Sequence, residues 1–92
     1  MLRFSLLISA LLLAAPSYAQ VVTEIRVEGL RRVEREAVVG TMSSKVGSEL
    51  SPASVADDLR ALWGLDRFDD LRILRLMEGE NLVLLVRVTE RP

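Results

Sequence analysis

Two apolar runs near the C-terminal end of the chain predict a β-hairpin. They cover residues 71–77 and 82–89, and the polar segment 78–81 separates them. β-branched and other apolar residues dominate both runs, and a glycine in a short polar link suits a tight turn. We therefore expect an antiparallel hairpin with Gly79 and Glu80 at the centre of its turn.

This turn fixes which residues lie opposite each other. The expected pairs are Leu71 with Val88, Ile73 with Val86, Leu74 with Leu85 and Leu76 with Val83. One face of the hairpin is then a core face, and it carries Leu71, Ile73, Leu82, Leu84, Val86 and Val88. The far face carries Leu74, Leu76, Val83 and Leu85. Because it too is apolar, we expect the far face to need a partner.

The segment before the hairpin changes from a strand pattern to a helix pattern. Residues 21–28 alternate, with Val21, Ile25 and Val27 on one side, which is typical of a half-buried strand. From Val33 the apolar positions follow a helical period, and a first helix is expected at about residues 34–43. Its predicted buried face consists of Val33, Ala37, Val38 and Met42.

A second helix has a clear start signal. Ser51 can accept a hydrogen bond from a first-turn amide, and Pro52 suits the first helical position. The helix is expected to run from about residue 52 to residue 63 and to end at Gly64. Its predicted buried face is Val55, Leu59, Leu62 and Trp63, and Asp57, Asp58 and Arg60 are predicted to lie outside. Phe68 is expected to fill the junction between this helix and the sheet.

The order of elements is strand, helix, helix, strand, strand. It predicts an α+β domain of two layers, in which a three-stranded mixed sheet packs on two antiparallel helices. The run at residues 82–89 is the most continuously apolar, so it is the expected central strand. The strands at residues 21–28 and 71–77 then lie at the two edges.

The N-terminus predicts a cleaved signal peptide over residues 1–19. Arg3 precedes an apolar run at residues 4–15, and small residues at Ser17 and Ala19 suit a cleavage site. The mature part, residues 20–92, is expected to be one domain. It contains neither Cys nor His, so we expect no disulfide and no zinc site.

Candidate catalytic groups are few. The pairs Asp57-Asp58 and Asp69-Asp70 lack the spacing of a calcium loop and are interpreted as a solvated helix face and a charged turn. The serines lack a His base, with Lys45 the only possible amine base. We predict no enzyme activity, no cofactor and no metal. The net charge of −1 gives no basic stripe, so a nucleic-acid partner is not expected.

Several motifs in order resemble the POTRA domain family. They are Gly29-Leu30-Arg31-Arg32-Val33, Val46-Gly47, Leu62-Trp63, Phe68-Asp69-Asp70-Leu71 and the closing Val88-Thr89-Glu90-Arg91-Pro92. The likeness is greatest to the N-terminal POTRA domain of BamA-type outer-membrane protein assembly factors. This chain has Asp66 where the family commonly has Gly, and Asp tolerates a left-handed backbone better than most residues.

The resemblance implies a periplasmic module associated with the outer membrane of a Gram-negative bacterium. Its implied partners are unfolded outer-membrane proteins, accessory assembly lipoproteins and neighbouring POTRA domains. The membrane itself would be reached only through a β-barrel that this chain lacks, so we expect the chain to be part of a longer protein. The closing Glu90-Arg91-Pro92 suits either a charged tail or a joint to a following domain.

Two hypotheses for function remain open. In the first, the edge strand at residues 71–77 binds an extended client segment by β-augmentation. Its predicted binding residues are Leu71, Arg72, Ile73, Leu74, Arg75, Leu76 and Met77. In the second, the domain is a structural spacer or partner-docking domain, as in a two-partner secretion or TamA-like transporter, and its apolar far face packs on a neighbour.

Overall fold

The computed structural model describes residues 20–92 as two helices and three strands. The elements in chain order are β1 (Val22–Glu28), α1 (Arg35–Thr41), α2 (Pro52–Trp63), β2 (Phe68–Glu78) and β3 (Asn81–Glu90). The predicted signal peptide, residues 1–19, lies outside the described residues. The predicted α+β class with a three-stranded mixed sheet is confirmed.

The sheet has the order β1-β3-β2, so β3 is its central strand as predicted. β1 lies parallel to β3, and β2 lies antiparallel to β3. The hairpin register is the predicted one, with Leu74 opposite Leu85 and Leu76 opposite Val83. Gly79 adopts a φ of 63°, the left-handed conformation that glycine reaches without strain.

The start of β1 differs from the simple alternation. Val22, and not Val21, is fully buried, and it shares the core with Ile25. A shift in register between Val22 and Glu24 explains this, because the irregularity lets residues three apart face the same side. Val21 is exposed and instead forms an isolated bridge with Glu49.

Helix α1 is shorter than predicted and buries fewer residues. Val38 and Met42 are in the core, but Ala37 is exposed. The backbone of Met42 is already extended, so the helix ends before residue 43. With only seven residues, α1 depends on its packing for stability.

Helix α2 begins where its start signal predicts. The Ser51 hydroxyl accepts a hydrogen bond from the Ser54 amide, and the Ser54 hydroxyl accepts one from the Ser51 amide, which forms a reciprocal capping box. The helix ends at Trp63, and Asp66 then takes a φ of 55°. This is the left-handed conformation that Asp tolerates better than most residues, so the departure from the family's Gly is accommodated at this turn.

Two predictions for α2 are wrong. Asp58 is fully buried instead of solvated, whereas its neighbour Asp57 is exposed. Trp63 is 45% exposed instead of lying on the buried face, which Leu62 occupies alone at this end of the helix. For Asp58, hydrogen bonds to the loop at residues 43–44, and not the helical period, explain the burial.

The core lies between the helices and the inner face of the sheet. Phe68 is buried there, as predicted, although it is the first residue of β2 rather than part of a loop. The far face of the sheet is better covered than expected, since Val83 and Leu85 are also buried. The need for a partner on this face is therefore limited to Leu74 and Leu76.

An ion bridge helps to cover the far face. Arg26 on β1 reaches across β3 and donates two hydrogen bonds, each of 3.0 Å, to the carboxylate of Glu78 on β2. It also donates to Glu24 Oε2 at 2.6 Å. The bonds from Arg26 lower the pKa of Glu78 and of Glu24. Since Val83 pairs with Glu24 and with Leu76, the bridge passes over the end of β3 that includes Val83.

Candidate functional site

The outer edge of β2 is the feature of the fold that is open to a further strand. β2 pairs only with β3, and its other side borders no strand of residues 20–92. It is also the longest strand, with 11 residues. An edge of this kind presents backbone N–H and C=O groups that an added strand can bond.

The other edge of the sheet is already occupied. The segment at residues 47–50 bonds to the start of β1: Val22 N–H donates to the Ser48 carbonyl at 2.9 Å, and Gly47 N–H donates to the Val22 carbonyl at 2.7 Å. Further along, the Arg35 side chain donates to the carbonyl of Ile25 at 2.7 Å. β1 therefore has fewer groups left for a partner than β2.

The hairpin turn determines which β2 groups point outward. Gly79 and Glu80 form a two-residue turn between Glu78 and Asn81, and the pair that flanks such a turn is hydrogen-bonded. Bonded and non-bonded pairs then alternate along the hairpin. The residues whose N–H and C=O groups point away from β3 are accordingly Leu71, Ile73, Arg75 and Met77, and those directed at β3 are Arg72, Leu74 and Leu76.

The side chains of the predicted site are divided between the two faces of the sheet. Leu71 is buried in the core, and Ile73 is half-buried beside it. Leu74 is half-buried on the far face, next to Leu76, which is 36% exposed. The exposed members are Arg72, Arg75 and Met77, of which Met77 is 57% exposed. The seven residues thus form one edge, but not one surface.

An apolar groove lies beside this edge, between α2 and β2. Its volume is about 390 Å³, and it is lined by Leu50, Ser51, Pro52, Val55, Ala56, Leu59, Ile73 and Arg75. Val55 and Leu59 are only half-buried, because they face the groove rather than the centre of the core. The groove adds α2 to the candidate site, a contribution that the strand pattern alone did not predict.

The end of β3 is fixed by contacts that were also not predicted. The Glu90 carboxylate accepts backbone N–H bonds from Arg31, from Arg32 at 3.0 Å and from Val33 at 3.2 Å. The bond from Arg31, together with those from Val33 and Arg32, lowers the pKa of Glu90. The only signal in the sequence was that Glu90 directly follows the predicted last strand.

Arg91 holds the opposite side of the same strand end. Its guanidinium lies 2.7 Å from Asp66 Oδ1 and 3.5 Å from Asp69 Oδ1. Its backbone N–H donates to the Arg67 carbonyl at 2.9 Å. The exit from the domain is thus held on both sides, so Glu90 and Arg91 are not a loose charged tail.

Residues 20–92 contain neither a helix able to span a membrane nor a cluster of metal-ligating side chains. No helix in this part of the chain is both long and apolar enough to span a membrane. No three side chains of the acidic, His or Cys types converge in it as metal ligands would.

Comparison with known proteins gives the fold its name. No family model matches the chain. The chain is similar to the N-terminal domain of Omp85 from the cyanobacterium Thermosynechococcus elongatus, with a TM-score of 0.74 and 22% identity over 79% of this chain and 35% of that one. It is also similar to the structure of POTRA1-3 of the periplasmic domain of Omp85 from Anabaena, with a TM-score of 0.68 and 19% identity over 79% of this chain and 35% of that one. The chain has the POTRA fold.

The sequence resembles an assembly protein as well. It is 25% identical over 71 residues to the outer membrane protein assembly factor BamA of Nitratidesulfovibrio vulgaris. This match covers 77% of the chain but only 9% of the relative. The chain thus spans about a tenth of the length of this relative, and the resemblance to a BamA-type POTRA domain expected from its motifs is confirmed.

Proposed function

We propose that this domain is a periplasmic polypeptide-binding module of an outer-membrane protein assembly factor. An extended client segment adds to β2 as a fourth strand and places alternate side chains in the groove against α2. The observation that carries this proposal is the contrast between the two edges: β1 is bonded by residues 47–50 and by Arg35, whereas β2 is open.

Backbone pairing explains how one site serves many clients. Hydrogen bonds to N–H and C=O groups depend little on the client sequence. The groove favours an apolar residue at every second position of the client segment. Transmembrane β-strands carry this alternating pattern, so unfolded outer-membrane proteins are suitable clients. Accessory lipoproteins and neighbouring POTRA domains are the other partners we propose. Arg72 and Arg75 disfavour pairing of β2 with a second copy of itself.

The partly exposed apolar residues on the far face of the sheet support a second candidate function, that of a spacer or docking domain. Leu74 and Leu76 remain partly exposed there, beside the buried Val83 and Leu85. A neighbouring domain that packs on this patch would make the unit a spacer or docking domain, as in a two-partner secretion or TamA-like transporter. This function needs the far face and leaves the outer edge of β2 unused.

Replacing Arg75 with proline tests the edge directly. Arg75 N–H points away from β3, so proline removes a bond to the client without removing one from the hairpin. We expect Arg75→Pro to weaken binding of an unfolded outer-membrane-protein peptide roughly tenfold or more, because one N–H is lost and the ring obstructs the added strand. Fluorescence anisotropy of a labelled peptide gives the affinity.

Arg75→Ala is the matched control, since it removes the same side chain and keeps the N–H. Near-native binding by Arg75→Ala and weak binding by Arg75→Pro would support augmentation. Equal binding by both variants, with the circular dichroism spectrum of each unchanged, would contradict it. Proline at Leu74 is a poorer test, because its N–H belongs to the pairing with β3.

A further inference from the structure

A second groove lies at a different place, between the segment that leads into α1 and the turn from α2 to β2. Its volume is about 570 Å³, and it is lined by Arg32, Val33, Glu34, Ala37, Leu65 and Arg67. It shares no lining residue with the groove beside β2. Val33 and Leu65 are half-buried and Ala37 is exposed, so the groove has an apolar floor that solvent reaches.

The charges at its rim are not balanced. Neither Arg32 nor Arg67 forms an ion pair with a carboxylate of residues 20–92. Glu34 is the one acidic residue of the lining, against these two arginines. The nearby Arg91 differs, since Asp66 and Asp69 already neutralise it. The groove therefore keeps two guanidinium groups available beside apolar surface.

The two arginine-bearing walls are held in place by Glu90, the last residue of β3, and by Arg91, which follows it. Glu90 accepts the backbone N–H bonds of Arg32 and Val33 on one wall. On the other wall, Arg91 donates its backbone N–H to the carbonyl of Arg67. A site whose backbone is already fixed loses less conformational entropy when a ligand binds.

We propose that this groove binds an acidic, partly apolar peptide segment of a partner protein. Carboxylates of the partner pair with Arg32 and Arg67, for which the planar guanidinium is well suited. An aliphatic side chain between them contacts Val33, Ala37 and Leu65. This site is independent of the β2 edge, so the domain engages two segments through different chemistry.

The test uses short capped peptides and labelled protein expressed from the full sequence. One peptide alternates glutamate with leucine, and its control alternates glutamine with leucine. We expect the glutamate peptide to shift the amide resonances of Val33, Ala37 and Leu65 and to bind less tightly as salt rises. The glutamine peptide, which keeps the same length and apolar residues, should leave these amides unshifted.

Charge-reversal variants test whether the glutamate peptide binds at the groove. The variant Arg32→Glu/Arg67→Glu should bind the glutamate peptide roughly tenfold less tightly or worse. Lys45→Glu/Arg60→Glu, which makes the same change in net charge outside the groove, should bind as the native protein does. If the first variant loses its dispersed spectrum, Arg32→Gln/Arg67→Gln replaces it, with weaker binding again expected.

Several results would overturn the proposal. The native protein and the groove variants could bind the glutamate peptide with equal affinity, or the two peptides could bind equally well. The peptide could shift only amide resonances of β2. The groove amides could also shift with protein concentration in the absence of peptide, which would make the groove a contact between copies of the chain. Failure at the groove leaves the Arg75→Pro test of the β2 edge unaffected, so the two proposals are separable.

Discussion

At the scale of single residues, Asp58 joins α2 to the loop that follows α1. Its carboxylate accepts hydrogen bonds from the Ser43 amide at 2.6 Å, the Ser43 hydroxyl at 2.8 Å and the Ser44 amide at 3.3 Å. We expect Asp58→Ala to lower the free energy of unfolding by about 3 kcal/mol, because it leaves the amide of the buried Ser44 and both donors of Ser43 without a partner. Urea denaturation measures this change.

Asp57 provides the control for this prediction at the next position of the same helix. It is exposed and pairs with Arg60 on the surface, where an ion pair contributes little. Asp57→Ala should therefore change the free energy of unfolding by less than about 0.5 kcal/mol. Similar losses for the two variants would mean that the bonds to the 43–44 loop do not stabilise the domain.

Residues governed by a local rule were predictable, and those governed by distant contacts were not. Ser51 caps α2 and Asp66 adopts a left-handed backbone because each depends only on its near neighbours. Asp58 and Trp63 depend on what the rest of the chain places beside α2. Helical period alone assigned both residues to the wrong environment, since it does not show where a loop returns to the helix.

At the scale of elements, Glu90 connects the end of β3 to the segment between β1 and α1. The N–H of Arg31, with those of Val33 and Arg32, holds the pKa of Glu90 below its usual value of 4.5. A group whose pKa is lower in the folded state stabilises the fold above its unfolded pKa, and this stability is lost as pH falls through the folded pKa. We expect Glu90→Gln to be less stable than the native protein at neutral pH.

The difference between the two proteins should become smaller below pH 4.5, as Glu90 is protonated in the native protein. Urea midpoints at about pH 7 and about pH 3 test this expectation. Glu80→Gln is the control, since the Glu80 carboxylate makes no hydrogen bond or ion pair with other residues of the part described. If the difference in urea midpoint between Glu90→Gln and the native protein stayed constant with pH, the shape of the side chain, and not its charge, would explain the effect of the substitution.

The elements themselves followed from the sequence to different degrees. The hairpin was predicted with its register because Gly79 fixes the turn and pairing then propagates from it. The start of β1 was not predicted correctly, because Val22 is placed by its hydrogen bonds to residues 47–48 and by an irregular register with β3. The open edge of β2 was predictable from topology. The groove against α2 was not, because it depends on how α2 lies on the sheet.

At the scale of the whole molecule, the two edges of the sheet should differ in amide exchange. β3 is paired on both sides, so its amides should exchange most slowly. On β2, the outward N–H groups of Ile73 and Arg75 should exchange much faster than those of Leu74 and Leu76, which bond to β3. The Val22 amide should resist exchange despite its edge position, because it donates to Ser48.

Exchange with and without client then separates the two functions proposed for the domain. If a client strand adds to β2, an unfolded outer-membrane-protein peptide should slow the Ile73 and Arg75 amides and leave Leu74 and Leu76 nearly unchanged. A spacer that docks through its far face predicts no change at these four amides, because that face offers side chains and not backbone groups. Protection that appeared on β1 instead would contradict both functions, since residues 47–50 and Arg35 would first have to leave that edge.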